Sequence, residues 1–108
     1  MYNKKVANGY YYTTAHYTRN LKYCPYGSCG VNDYNDGCIH LISYTTRVIS
    51  IDADGWLDCS GTYSATTRKH IGAFLREYAP NLSYQDAKAA YMGNYAINIH
   101  TGEIRFLP

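Results

Sequence analysis

The sequence predicts an α+β fold: an antiparallel sheet of hairpins, about residues 40–59 and 95–107, covered on one face by two helices, about 66–78 and 84–92. Three observations predict it. His40–Asp52 (HLISYTTRVISID) is rich in β-branched and aromatic residues and is followed by Asp54-Gly55, a hairpin-turn dipeptide. Ile71, Phe74, Leu75 and Tyr78 recur at i, i+3, i+4 and i+7, which lines one side of a helix with apolar groups. Tyr95–Ile99 and Glu103–Leu107 alternate about His100-Thr101-Gly102 and form a second hairpin.

Taken in order, residues 1–39 carry many Tyr, Asn, Gly and Cys and hold no sustained period, so a loop-rich section is expected, with short strands at Gly9–Thr14 and near Leu21–Tyr23. His40–Asp52 reads as one long strand or two short ones, and Trp56–Cys59 as the partner returning from the Asp54-Gly55 turn. Ser64 to Thr67 offer hydroxyls to cap the first helix, and Pro80 ends it because the residue before a proline is steered out of helical geometry. Ser83 with Asp86 forms a capping box that opens the second helix through Ala87, Ala90 and Tyr91, and Gly93 is placed just past its end. Each helix has one apolar side and the sheet needs one cover, so two layers result.

A chain of 108 residues fits one domain, 1–108, with a Tyr- and Cys-rich front section (1–39) and an α+β core (40–108). The net charge of +2 on its own argues for no class of partner. Its distribution is more telling, because Lys4, Lys5, Arg19 and Lys22 precede the first acidic residue and are interleaved with tyrosines, including Tyr11 and Tyr12. Cations serve phosphates and rings stack on bases, so these residues are candidates for contact with nucleic acid or a partner. Arg68 and Lys69, at the start of the first helix, join them as an anion site beside free N–H groups. A solvated basic arm and an ordinary capped helix are the bland alternatives. The segment MYNKKVANGYYY has no apolar signal core and no stretch reaches the length of a membrane span, so a cytoplasmic location with no membrane partner is expected.

Cys24-Pro-Tyr-Gly-Ser-Cys29 is followed by Cys38-Ile-His40. Cys24, Cys29, Cys38 and His40 together would supply the four soft or borderline ligands of a structural zinc ion, which would staple a section lacking a core of its own. Free buried thiols are the alternative, and a reducing compartment disfavours a disulfide. Asn32–Gly37 reads as a turn, since no bidentate acid follows at calcium-loop spacing. His16, His70 and His100 lie in no recognised catalytic motif, and pairing His70 with His16 or His100 for acid–base chemistry is the enzymatic alternative to a binding protein.

Ser43-Tyr44-Thr45-Thr46-Arg47-Val48-Ile49, Asp54-Gly55, and Tyr63-Ser64-Ala65-Thr66-Thr67-Arg68-Lys69-His70-Ile71 with Phe74 resemble a group of small proteins from bacteriophages and other mobile elements. Their shared pattern runs SYxTxI…DG…YSxTTxxHxxxF. The resemblance covers about residues 43–75; Val48-Ile49 after Arg47 departs from it, and the cysteine-rich front is not part of it. It implies a phage origin, with Tyr63 ending the hairpin and His70 hydrogen-bonding back to the sheet. Similar phage proteins include inhibitors of bacterial defence, some of them anti-CRISPR proteins, which act stoichiometrically on an effector nuclease or its guide-RNA assembly. The function so implied is inhibition of a host defence complex. A nucleic-acid-binding accessory protein and a small nuclease built on His70 are the alternatives.

Overall fold

A computed structural model describes residues 18–25, 28–61 and 65–108. Among them the order is β1 (Cys29–Asp33), β2 (Ile39–Ser43), β3 (Thr46–Ile51), β4 (Trp56–Cys59), α1 (Ala65–Tyr78), α2 (Tyr84–Gly93), β5 (Tyr95–Asn98) and β6 (Ile104–Phe106). The strands form one antiparallel sheet in which each pairs with the next in sequence. Both helices occupy the β4–β5 connection, yet β4 and β5 remain neighbours, with Trp56 opposite Asn98 and Leu57 opposite Ile97. The helical pair is therefore an excursion that leaves the sheet and returns beside its point of departure.

The turns follow from side-chain chemistry. Asp52 Oδ1 accepts from the N–H groups of Asp54 and Trp56, both at 2.9 Å, while Gly55 takes φ 91°, a value that favours glycine. Asn98 Oδ1 does the same for His100 and Thr101 in the β5–β6 turn. The turn expected at Asn32–Gly37 is confined to the β1–β2 connection after Asp33, since Asn32 and Asp33 still pair with β2: Asp36 Oδ1 accepts from Cys38 N–H at 3.1 Å and Gly37 has φ 88°. His40–Asp52 resolves into two strands joined at Tyr44-Thr45, where Tyr44 takes φ 58°. The pairing shifts between Leu41 and Ile42, so Val48 is an extra residue on β3, and it is buried beside its neighbour Ile49.

One face of the sheet supplies Cys29, Val31, Leu41, Ile49, Ile51, Leu57 and Cys59 to a core completed by Ile71, Phe74 and Leu75 of α1 and Ala87 of α2. The period-2 alternation of strands and the helical stripe meet there, and both helices cover the same face. The capping box is present: Asp86 N–H donates to Ser83 Oγ and Ser83 N–H to Asp86 Oδ2. Replacing Ser83 by alanine is expected to lower stability by about 1 kcal/mol. Thermal denaturation of the variant checks this, and an unchanged midpoint would show that the cap contributes nothing.

Four expectations are corrected. Leu21–Tyr23 is no strand but the corner of a tight turn, in which Leu21 bridges Cys24. Cys29–Asp33, expected to be irregular, is an edge strand, because pairing with β2 overrides the weak strand preference of Gly30, Asn32 and Asp33. Thr67 is not a cap: it lies inside α1 with its hydroxyl on Ser43, 3.0 Å away. Gly93 belongs to α2, and Asn94 takes the left-handed end position at φ 55°, which asparagine tolerates. Gly9–Thr14, Tyr63 and Ser64 lie outside the described residues. No helix among the described residues is long and apolar enough to cross a membrane.

Candidate functional site

Two features of α1 carry chemistry, one under the helix and one on it. Beneath it, the turn at Leu21–Cys24, the first residue of β1 and the core-facing stripe of the helix converge. Leu21 is fully buried and anchors the turn. Cys29 faces the helices, and His70 stands one helical turn before Phe74 on the buried side of α1. One ligand atom from each of Cys24, Cys29 and His70 lies within 4.8 Å of the other two. Ser43, directly opposite Cys29 in the β1–β2 register, places its Oγ 2.9 Å from His70 Nδ1 and 3.0 Å from Thr67 Oγ1. This is the expected hydrogen bond from His70 back to the sheet. The Tyr44 ring lies 5.8 Å from the imidazole.

Burial pushes the Cys29 thiol up to about 12, reinforced by the Cys24 thiol beside it, and burial lowers His70. Both groups are thus held neutral in the metal-free protein. A nucleophilic cysteine needs the opposite environment, one that stabilises thiolate and imidazolium. The cluster suits ligation or structure better than thiol catalysis. His100 does not reach it, standing instead at the β5–β6 turn against Gly55, and His16 lies outside the described residues.

The expected four-ligand zinc set is divided. Cys24 and Cys29 come together, but His40 pairs with Asn32, out of step with the Cys29–Ser43 pair, and so lies on the other face of the sheet. There His40 packs on Tyr34, ring centroids 4.3 Å apart, and Cys38 is buried with the same tyrosine in a separate small cluster. His70 takes the place of Cys38 and His40 beside the first two cysteines.

On the outer side of α1 the cations sit against tyrosine rings. At its start Arg68 lies 4.7 Å over the Tyr84 ring, and Arg68 and Lys69 line an open cleft of about 420 Å³ with Ser83 and Gln85. At its end Arg76 lies 4.1 Å over Tyr23, whose ring also has the Lys22 ammonium at 5.4 Å. Arg19 sits 5.1 Å from the Tyr78 ring and pairs with Asp33 at 2.6 Å. Lys22 is held in place by its own N–H, which donates to Glu77 Oε1 at 2.7 Å. Arg68 and Arg76 are eight residues apart, so they share a side of the helix about 12 Å apart along its axis.

A family model described as a family of unknown function (DUF8033) matches residues 4–92. The chain belongs to this family. No curated protein and no solved structure matches it. The DUF8033 range takes in the Cys–His cluster and every cation of the α1 surface, and it ends before β5 and β6. Of the contact residues expected from the sequence, Arg68 and Lys69 fall at one end of α1 and Arg19 and Lys22 at the other, while Lys4, Lys5, Tyr11 and Tyr12 lie outside the described residues. Tyr23 is one of the tyrosines interleaved with the N-terminal cations, whereas Arg76 and Tyr84 are not among the expected contacts; Arg76 follows Arg68 and Gly72 at helical spacing, a signal that the sequence does contain.

Proposed function

We propose that this DUF8033 protein works stoichiometrically by binding RNA along the outer side of α1, as a phage-encoded inhibitor of a bacterial defence system such as a CRISPR effector, acting on its guide-RNA assembly. The observation that carries the binding reading is the pairing of cations with tyrosine rings at both ends of one helix: Arg68 with Tyr84, and Arg76 and Lys22 with Tyr23. Such a surface meets phosphates with charge and bases with flat faces. A protein that plugs a nucleic-acid groove as a mimic needs an acidic surface. With a net charge of +2 and cations along α1, complementarity runs toward the RNA itself. The phage and defence setting rests on the resemblance of residues 43–75.

Binding to single-stranded RNA followed by fluorescence anisotropy across a salt series tests the contact. Each phosphate neutralised contributes about −0.7 to the slope of log K against log salt. The triple variant Arg68→Gln, Lys69→Gln, Arg76→Gln is expected to flatten that slope by roughly 2. No binding by the unaltered protein at low ionic strength would remove the proposal. Plaquing of phage on cells that co-express the protein with a CRISPR system tests the setting. RNA binding with defence intact would identify an accessory protein of a mobile element instead.

A further inference from the structure

We propose that Cys24, Cys29 and His70 bind one thiophilic divalent metal ion, with zinc the best fit to the donor set, through Cys24 Sγ, Cys29 Sγ and His70 Nε2, and with a fourth position open to water. The residues come from a turn, the strand that follows it and a helix about forty residues further along, yet one ligand atom from each, a ring nitrogen in the case of His70, lies within 4.8 Å of the other two. Around tetrahedral zinc, sulfur at about 2.3 Å and nitrogen at about 2.0–2.1 Å stand roughly 3.6–3.8 Å from each other. Closing the cluster onto an ion therefore needs side-chain adjustment of about 1 Å or less, within reach of cysteine rotation. The donors are two thiols and an imidazole without a carboxylate, which selects zinc over magnesium or calcium.

The imidazole is also prepared for the role. Ser43 Oγ engages His70 Nδ1 at 2.9 Å and is itself bonded to Thr67 Oγ1 at 3.0 Å. With one ring nitrogen so occupied, Nε2 is left for the ion, and the ring is aimed by an outer partner in the manner of zinc-bound histidines. A disulfide between Cys24 and Cys29 would account for the two thiols but not for the histidine brought beside them. The ion would pin the Leu21–Cys24 turn to α1. That turn holds Tyr23 against Arg76 and carries Lys22 beside the same ring, so metal occupancy would also fix one end of the surface assigned above to RNA.

The test uses the full chain, purified under reducing conditions and loaded with zinc or cobalt. One equivalent of zinc by elemental mass spectrometry is expected, and the cobalt form should show thiolate charge-transfer absorption with tetrahedral ligand-field bands. Replacing the half-buried Cys24 by serine, and His70 by glutamine, should each abolish binding or weaken it at least tenfold. Cys38→Ser should bind as the unaltered chain does. Zinc should slow alkylation of Cys24 and Cys29 and leave Cys38 unaffected, a measurement that needs no variant to fold. The proposal fails if the reduced, folded protein takes up neither ion stoichiometrically. It fails equally if Cys24→Ser keeps full affinity, if Cys38→Ser loses the metal, or if the two cysteines are recovered as a disulfide. RNA binding plays no part in these readouts, so the two proposals can fail separately.

Discussion

Replacing Phe74 by alanine is expected to remove about 3–5 kcal/mol of stability. The ring is fully buried at the centre of the apolar stripe of α1, packed into the cluster formed by the inner face of β1 to β4 and lying 5.0 Å from the Tyr78 ring. Deleting it costs the transfer energy of a benzyl group and leaves a void between a helix and a hydrogen-bonded sheet, neither of which can collapse freely into it. A domain of this length typically holds only about 5–15 kcal/mol in all, so the variant should sit near the edge of folding. Urea denaturation reads the loss as a lower midpoint at unchanged slope. Met92→Ala, at an exposed position on α2, is the control and should move stability by no more than about 0.5 kcal/mol. Equal shifts for the two variants would mean that α1 does not seal the core.

That core was legible because its signals are local. The stripe Ile71, Phe74, Leu75 and Tyr78 states a helix and its buried side at once. Asp54-Gly55 and Ser83-x-x-Asp86 state a turn and a helix start through hydrogen bonds within a few residues. β1 was not legible for the complementary reason. Cys29-Gly-Val-Asn-Asp33 has little strand preference of its own, and it is extended only because β2 offers an edge to pair with. The end of α2 shows the same limit at finer scale: Gly93 and Asn94 can both adopt the left-handed position, and sequence does not decide between neighbours.

The candidate site divides along the same line. Cys24 and Cys29 could be nominated together because five residues of chain keep them close. Cys38 and His40 looked like their natural complement by spacing, but spacing ignores the alternation of a strand. Once β1 and β2 pair with Cys29 opposite Ser43, His40 must point away. His70 joins the cysteines only through the packing of α1 on the sheet, a long-range event that no local spacing encodes. The cations of α1 could be read from the sequence as charges; their tyrosine partners Tyr23 and Tyr84 come from other segments and needed the fold.

The second large effect should come from the buried polar chain Thr67–Ser43–His70. His70→Ala is expected to cost about 2–4 kcal/mol, combining the void left by the ring with the loss of one of the two hydrogen bonds of the Ser43 hydroxyl. Ser43→Ala should cost about 1–3 kcal/mol, because it strands the buried His70 Nδ1 and removes a hydrogen bond from the buried Thr67 hydroxyl. The two losses should not add. Each single change already breaks the same 2.9 Å hydrogen bond, so the double variant should be less destabilised than the sum by about 1 kcal/mol. Urea denaturation of the four forms in the presence of a chelator measures this cycle without any contribution from a bound ion. Losses that add within about 0.5 kcal/mol would show that Ser43 does not hold the imidazole. A coupling of the expected size would mean that β2 fixes the ring before any ligand arrives, so that the sheet, and not the ion, decides where His70 Nε2 points.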